Sequence, residues 1–329
     1  MRKHKVLLIG CGQLGSRHLQ AIAAMPEIVE IQVVDPNPGS LALGQARLKE
    51  VPDLNREIIF SWLPGLEKAS RDGDLCILPT QARGRGELIK RIAKELGYKR
   101  FLVEKIVTQS LREYDDLMKF SKEMGLSIWV DCQTRTYEIH RRIKAQLDPQ
   151  EPIVFGDFGG NHGLACNGIH YADLFLFYDN AKKIKSAGSR IDPRLHSTKR
   201  GKDIFDLSGT LLGGSAKGST CIISYSAGHL SPDYVSIQTS RGKYIVDHIC
   251  QVAFESLAAE DWQWKPIELK ENYRISHLSK GFVSKIINDQ DPLLPTLEEC
   301  RASHEYILGE LLPHFNRLLK VDQDHCPVT

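Results

Sequence analysis

No stretch of this chain holds the ~18 consecutive apolar residues that a membrane-spanning helix needs. A helical membrane protein is therefore not expected. An excess of one charge is lacking too: 43 Lys and Arg stand against 41 Asp and Glu, a formal net charge of +2. Proteins that bind the phosphate backbone usually carry a basic domain, so no nucleic-acid partner is expected. The eight cysteines, at 11, 76, 132, 166, 221, 250, 300 and 326, form no CxxC pair and no Cys/His zinc spacing. They read as small hydrophobes of a reducing compartment, and no metal is expected. The basic residues 2–5 resemble the start of a signal sequence, but the apolar run at 6–9 is broken by Gly10, Gly12 and Gln13. That is too short for a signal core, so the expected location is cytoplasmic. Internal repeats and low-complexity segments are absent as well.

What is present suits a globular chain. It has 329 residues, 42% of them hydrophobic and 26% charged, enough for two domains of ordinary composition. Over the first 130 residues, short apolar runs alternate with helical patterns. Strands are predicted at 6–9, 31–34, 57–60, 74–78, 101–103 and 126–130. Helices are predicted at 13–25, 40–49, 85–96 and after Ser110, which forms a capping box with Glu113. That alternation is the sign of βαβ units and a parallel sheet. After residue 131 come a helix at 137–147, a strand at 153–158 and an apolar helix at 165–178. Extended runs follow at 182–190, 205–212, 219–226, 234–239 and 243–247, divided by turn residues, which suggests an antiparallel sheet. Helical sequence returns at 277–288 and 296–319, where Pro313 is expected to kink or split the second helix.

The run Gly10-Cys11-Gly12-Gln13-Leu14-Gly15 matches G-x-G-x-x-G directly between a buried strand and a helix start. Gly10 permits the turn, Gly12 lets backbone approach a pyrophosphate, and Gly15 lets helix and strand pack closely. Gln13 and Leu14 stand at the helix N-terminus, whose unpaired N–H groups suit phosphate. Asp35 ends the second strand, 20 residues beyond Gly15, where an acid can hold ribose hydroxyls. An acid there repels a 2′-phosphate, so NAD is the expected cofactor rather than NADP. A ligand-free glycine turn followed by an Asp-Pro turn is the competing reading. Thr80, in the loop after the fourth strand, is expected near the nicotinamide ribose or else in a plain loop. The fold these features predict is α/β: an N-terminal Rossmann parallel sheet in a dinucleotide-binding domain, 1–130, followed by an α+β domain, 131–329.

Five stretches together resemble one family. Gly15 continues into Ser16-Arg17-His18. Val103-Glu104-Lys105 looks like a Glu-Lys-Pro motif at the end of the fifth strand. Gly168-Ile169-His170-Tyr171-Ala172-Asp173 looks like G-x-H-x-x-D on a helix. Arg135 follows the sixth strand, and Leu294-Pro295-Thr296 precedes the last helices. In these features the chain resembles the Gfo/Idh/MocA oxidoreductases. The resemblance implies that the second domain carries a large open, mainly antiparallel sheet for substrate binding and oligomerisation, in a homodimer or homotetramer. It implies that nicotinamide and substrate meet between the two domains, with reversible oxidation of a hydroxyl on a sugar, cyclitol or nucleotide sugar. It also implies catalytic roles for Lys105 and His170, a cofactor contact for Glu104 and Lys105, and substrate contacts for Arg135, Cys166, Asn167 and Asp173. Two departures stand out. Lys105-Ile106 replaces Lys-Pro, and because a cis bond before a non-proline residue costs ~2.5–4 kcal/mol, a trans bond is expected. Cys166 stands where the family often has Asp, with Asn167 and Asp173 as partial substitutes.

The residue chemistry agrees with such a reaction. Removing hydride from a secondary alcohol needs a base for the hydroxyl proton, and imidazole suits neutral pH. His170 is expected to share a helix face with Cys166 and Asp173. Lys105, at the carboxyl end of a parallel strand, can stabilise alkoxide charge. The competing readings are a satisfied core histidine and a surface lysine paired with Glu104. His18 reads as a packing or capping residue, and Asn161 and His162 as pocket-lining or turn residues. Residues 190–202 hold five Lys and Arg, either a solvated loop or a holder of substrate carboxylate or phosphate. The reading is an NAD-dependent dehydrogenase for a carbohydrate substrate, anionic ones included, with surface-glycan biosynthesis as the setting. Its alternatives are an NAD-dependent hydrolase or lyase using transient oxidation, and a non-catalytic dinucleotide-binding regulator.

Overall fold

The computed structural model describes residues 3–160 and 163–329; Asn161 and His162 lie outside the described residues. In chain order the elements are β1 (His4–Ile9), α1 (Gly15–Ile22), β2 (Ile28–Val34), α2 (Pro38–Leu48), β3 (Ile59–Leu63), β4 (Leu75–Leu78), α3 (Arg85–Leu96), β5 (Arg100–Val103), α4 (Leu111–Met124) and β6 (Ser127–Val130). Then come α5 (Glu138–Gln146), β7 (Val154–Gly160), α6 (Gly168–Asp179), β8 (Lys185–Ile191), β9 (His196–Thr198), β10 (Gly201–Asp206), β11 (Gly209–Gly214), β12 (Thr220–Ser226) and β13 (Tyr234–Gln238). The last are β14 (Gly242–Asp247), β15 (Val252–Leu257), β16 (Trp264–Ile267), α7 (Ile275–Ile287) and α8 (Arg301–Leu319).

The chain divides into two units. The first comprises Met1–Thr108, Glu113–Asp131 and Asn272–Glu298. Its six strands are parallel in the order β3-β2-β1-β4-β5-β6, so the chain reverses its direction of travel between β1 and β4. In open α/β sheets that reversal opens a crevice at the strand carboxyl ends. β1 is continuously apolar over residues 6–9, where it is buried on both faces; Leu8 pairs with Val33 on one side and Ile77 on the other. Segment 272–298 belongs to this unit rather than to the second, where the sequence division had put it. The reason is α7, whose Phe282, Val283, Ile286 and Ile287 bury against the α1 side of this core with Leu19 and Ile22.

The second unit comprises Gln109–Arg112, Cys132–Glu271 and Glu299–Thr329. Its eight-stranded sheet runs β16-β15-β14-β13-β7-β12-β11-β8 and is antiparallel except where β7 and β12 run parallel. α6 and α8 cover one face, reached by Phe155, Cys221, Ile223 and Leu211. The opposite face carries Val154, Leu212, Tyr234, Phe254 and Trp264, with Val154 45% and Trp264 48% exposed. Three expectations are corrected here. Run 205–212 is two strands, parted at Leu207 and Ser208, because the Asp206 carboxylate takes the Leu207 N–H at 2.8 Å. Part of the basic segment 190–202 is a β9–β10 hairpin. Finally, α8 starts at Arg301 and runs unsplit through Pro313, because buried Tyr306, Ile307, Leu311 and Phe315 tie both sides of the proline to one core. No helix among the described residues is long and apolar enough to cross a membrane.

Candidate functional site

The glycine loop is built by close approach. Gly10 sits at φ +94°, a region few side chains tolerate, and donates its N–H to Val34. A Cβ on Gly15 would lie 2.0 Å from the Gly10 carbonyl oxygen, so loop and helix start touch directly. A Cβ on Gly10 would lie 3.1 Å from Thr80 Cγ2, which brings the loops after β1 and β4 together. Gly12 is different: its missing side chain faces open space, with no atom within 4 Å. Gln13 and Leu14 follow at the start of α1, whose first turn carries no acid and no side-chain cap. Open space before an uncapped helix N-terminus is what a pyrophosphate requires, so these residues fit a dinucleotide.

Asp35 is fixed beside that loop. Its Oδ2 accepts the Cys11 N–H at 2.8 Å, and its Oδ1 accepts the Asn37 N–H at 2.8 Å. Burial, aided by the Asp35 charge, pushes the Cys11 thiol up to about 12, so this cysteine is inert filling. Arg47 of α2 braces the loop from outside, donating to the Gln13 carbonyl at 2.6 Å and to Gln13 Oε1 at 2.6 Å. Sequence reading passed over Arg47, since its 34-residue separation from Gln13 matches no motif.

At the end of β5, Glu104 and Lys105 are both buried. The Lys105–Ile106 peptide is cis, which corrects the expectation of a trans bond. That expectation considered only local preference. It left out Arg85 of α3, a fully buried guanidinium that donates to the carbonyls of Thr80, Glu104, Ile106 and Val107. Nor is His18 simple packing. Its Nε2 lies 3.2 Å from Glu104 Oε1 and 3.9 Å from Asp131 Oδ2, and its Nδ1 lies 2.9 Å from Ser279 Oγ. Burial works against a charge on Glu104, but His18, Lys105 and Arg85 hold its carboxyl down to about 2. Burial and then the Glu104 charge push Asp131 up to about 7, against the pull of His18.

In the second unit, Arg135 lies in a short turn and Asp173 on α6. Arg135 Nε and Nη2 donate to the two oxygens of Asp173 at 2.7 Å each. The side chains are 11% and 0% exposed. Burial disfavours charge on Arg135, but the Asp173 carboxylate more than offsets it and holds the guanidinium above its usual range. Asp173 is thus enclosed and holds Arg135, which corrects its expected contact with substrate. Cys166 precedes α6 rather than sharing a face with His170, because the helix starts only at Gly168. His170 and Cys166 are half-buried and Asn167 is exposed. The approach to His170 is set by Asp206, whose carboxylate accepts the N–H groups of Ala165 at 2.9 Å and Cys166 at 3.2 Å. No spacing signal marks Asp206 in the sequence.

No protein-family model matches the chain, and no curated protein matches it. Solved structures do. UDP-N-acetylglucosamine 3-dehydrogenase GnnA from Acidithiobacillus ferrooxidans matches with a TM-score of 0.72 at 15% identity, over 95% of this chain and 98% of that one. An oxidoreductase from Agrobacterium radiobacter, solved with NAD+, L-tartaric acid and magnesium, matches with a TM-score of 0.73 at 13% identity, over 93% and 94%. KijD10, a 3-ketoreductase from Actinomadura kijaniata solved with NADP and TDP-benzene, matches with a TM-score of 0.71 at 15% identity, over 94% and 96%. The chain therefore has the fold of these oxidoreductases along nearly its whole length.

Proposed function

We propose that this chain is a cytoplasmic NAD-dependent dehydrogenase of Gfo/Idh/MocA type that reversibly oxidises a hydroxyl of a carbohydrate, nucleotide and acidic sugars included. The observation that carries this reading is the open space at Gly12, framed by the tight Gly10–Gly15 contact and the fixed Asp35 carboxylate. Fold neighbours solved with NAD+ and NADP support the cofactor class, and two neighbours named for sugar oxidation or keto reduction support the substrate class.

In this reading Gly10, Gly12, Gln13, Leu14 and Gly15 receive the pyrophosphate, and Asp35 accepts from the ribose hydroxyls. Thr80, Glu104 and Lys105 serve the nicotinamide half. When bound, the nicotinamide supplies the hydride acceptor. His170 takes the proton of the reacting hydroxyl, and the Lys105 ammonium stabilises the charge developing on its oxygen. Arg135, Asn167 and Cys166 contribute to substrate binding, and Asp173 holds Arg135 in place.

The cofactor assignment is tested by titration calorimetry. NAD(H) should bind more tightly than NADP(H), because the Asp35 carboxylate repels a 2′-phosphate. Asp35→Ser should cut that preference roughly tenfold or more, the worth of one charged hydrogen bond at ~1.5–3 kcal/mol. Tighter binding of NADP(H) by the unaltered chain would reject the role of Asp35.

The uncovered sheet face, with Val154, Leu212, Tyr234, Phe254 and Trp264 on one side, supports a homodimer or homotetramer assembled through that sheet. Light scattering at micromolar concentration should report a multiple of 37.0 kDa. A particle of monomer mass would reject the assembly.

A further inference from the structure

The first unit holds more ionisable groups at the end of β5 than binding a dinucleotide and a hydroxyl requires. His18 from α1 and Asp131 from the end of β6 meet Glu104 away from solvent. The side chains are 1%, 1% and 7% exposed in that order. One ring or carboxyl atom from each lies within 4.8 Å of the others. Ile77, Leu78, Pro79, Leu102 and Val103 wall the site, and the gap among them has no room for a water molecule. The remaining charges that face the cluster are Lys105 and Arg85 of α3, and Arg85 is committed to four backbone carbonyls. α7 contributes the uncharged Ser279, which meets the far nitrogen of His18.

Two carboxyl groups thus share one imidazole in a dry site. Two carboxylates this close rarely ionise together, and they titrate as a unit. The distances divide their roles, since Glu104 is 3.2 Å from His18 Nε2 and Asp131 is 3.9 Å from it. We propose that Asp131 is a buried acid that keeps its proton at mildly acidic pH and gives it up around neutrality, and that while protonated it acts as a positioning residue for Lys105 by keeping Glu104 the single ionised carboxylate between His18 and Lys105. Asp131 reaches the substrate only through its neighbours. Its consequence for turnover rests on the dehydrogenase reading; its protonation does not.

The pH dependence follows in sign. A carboxyl with a raised folded pKa contributes stability fully below its unfolded value near 4 and loses it as pH rises through about 7. Glu104 does the reverse, losing its contribution only as pH falls below about 4 toward 2. Between pH 5 and 8 Glu104 adds nothing. Burial works against the charge on His18, but Glu104 and Asp131 raise the imidazole above its usual value, so His18 also loses stability as pH rises. It does so in Asp131→Asn as well, so the difference between the two chains reports Asp131.

Asp131→Asn keeps the shape and the donor of the protonated acid and cannot ionise. Thermal unfolding of the full chain should show the Tm of Asp131→Asn rising relative to the unaltered chain by several degrees as pH goes from 5 to 8. Infrared spectra of the unaltered chain at pH 6 should show the carbonyl band of protonated carboxyl, shifted by 13C-aspartate labelling and weakened in Asp131→Asn, with the remainder due to Asp157, whose carboxyl burial also raises. A Tm difference independent of pH, or a band left unchanged by Asp131→Asn, overturns the protonation. If Asp131→Asn does not fold, the labelled band is read in Asp157→Asn, where a band that fades as pH rises through about 7 supports the proposal and no band overturns it. In turnover, the inflection of kcat/KM nearest neutral pH should move in Asp131→Asn, and an unmoved profile overturns the positioning role. Absence of dehydrogenase activity in the unaltered chain would instead count against the functional reading and leave the infrared and Tm results standing.

Discussion

His170→Ala is expected to abolish turnover, a fall of about 10²–10⁴-fold in kcat, while leaving NAD affinity nearly unchanged. The size follows from what a positioned base supplies, about 3–5 kcal/mol of barrier. The location supports the choice. α6 is buried along most of its length, and His170 is one of its two residues with partial exposure. Its backbone is held by the Asn167 carbonyl at 2.9 Å, and the turn before it by Asp206. Cys166, two residues before the helix, offers a thiol, a poor base at neutral pH. NADH formation from a panel of sugars and cyclitols, with calorimetry for NAD, separates loss of chemistry from loss of binding. A fully active variant would move the base to Lys105 acting through water. Lys105→Ala should also reduce turnover, with some loss of cofactor affinity.

Asp173→Asn should destabilise the chain by about 3–5 kcal/mol, the cost of stranding a buried guanidinium. The carboxylate meets Arg135 through two hydrogen bonds of 2.7 Å and is fully enclosed, so no water can replace it. At ~2–4 °C per kcal/mol for a body of this size, the melting point should fall by roughly 6–20 °C. The double variant Arg135→Met with Asp173→Leu removes both charges and should recover much of the loss. Denaturant unfolding of the two single variants and the double measures the coupling directly. A loss under about 1 kcal/mol for Asp173→Asn would mean that the pair is hydrated in solution.

The parts legible in the sequence were those encoded within a few tens of residues. The strand–glycine–helix run at 6–25 and the acid at Asp35 were readable because turn geometry and spacing are local. The cluster below Lys105 was not, since His18 and Glu104 stand 86 residues apart and neither periodicity nor propensity links them. The same holds for Asp206, 41 residues from the turn it fixes, and for α7, which returns to the first unit after the entire second sheet. The sequence placed Asp173 one turn after His170 on the same helix, yet it could not tell a buried partner of Arg135 from a group that faces substrate. The peptide after Lys105 was misjudged because local preference knows nothing of a cation arriving from α3.

Arg85 grips mainly peptide carbonyls, at Thr80, Glu104, Ile106 and Val107, with one longer side-chain contact from its Nε to Thr80 Oγ1 at 3.5 Å. Every residue type offers a carbonyl, so the loops after β4 and β5 are tied together by a contact that is blind to residue identity. Sequence drift at positions 80, 106 and 107 leaves the grip intact, whereas the single guanidinium at position 85 has no redundant substitute among these contacts. For the grip itself, tolerance is therefore lopsided: wide at the positions that lend a carbonyl and narrow at the clasp, so one codon guards a geometry spread over four.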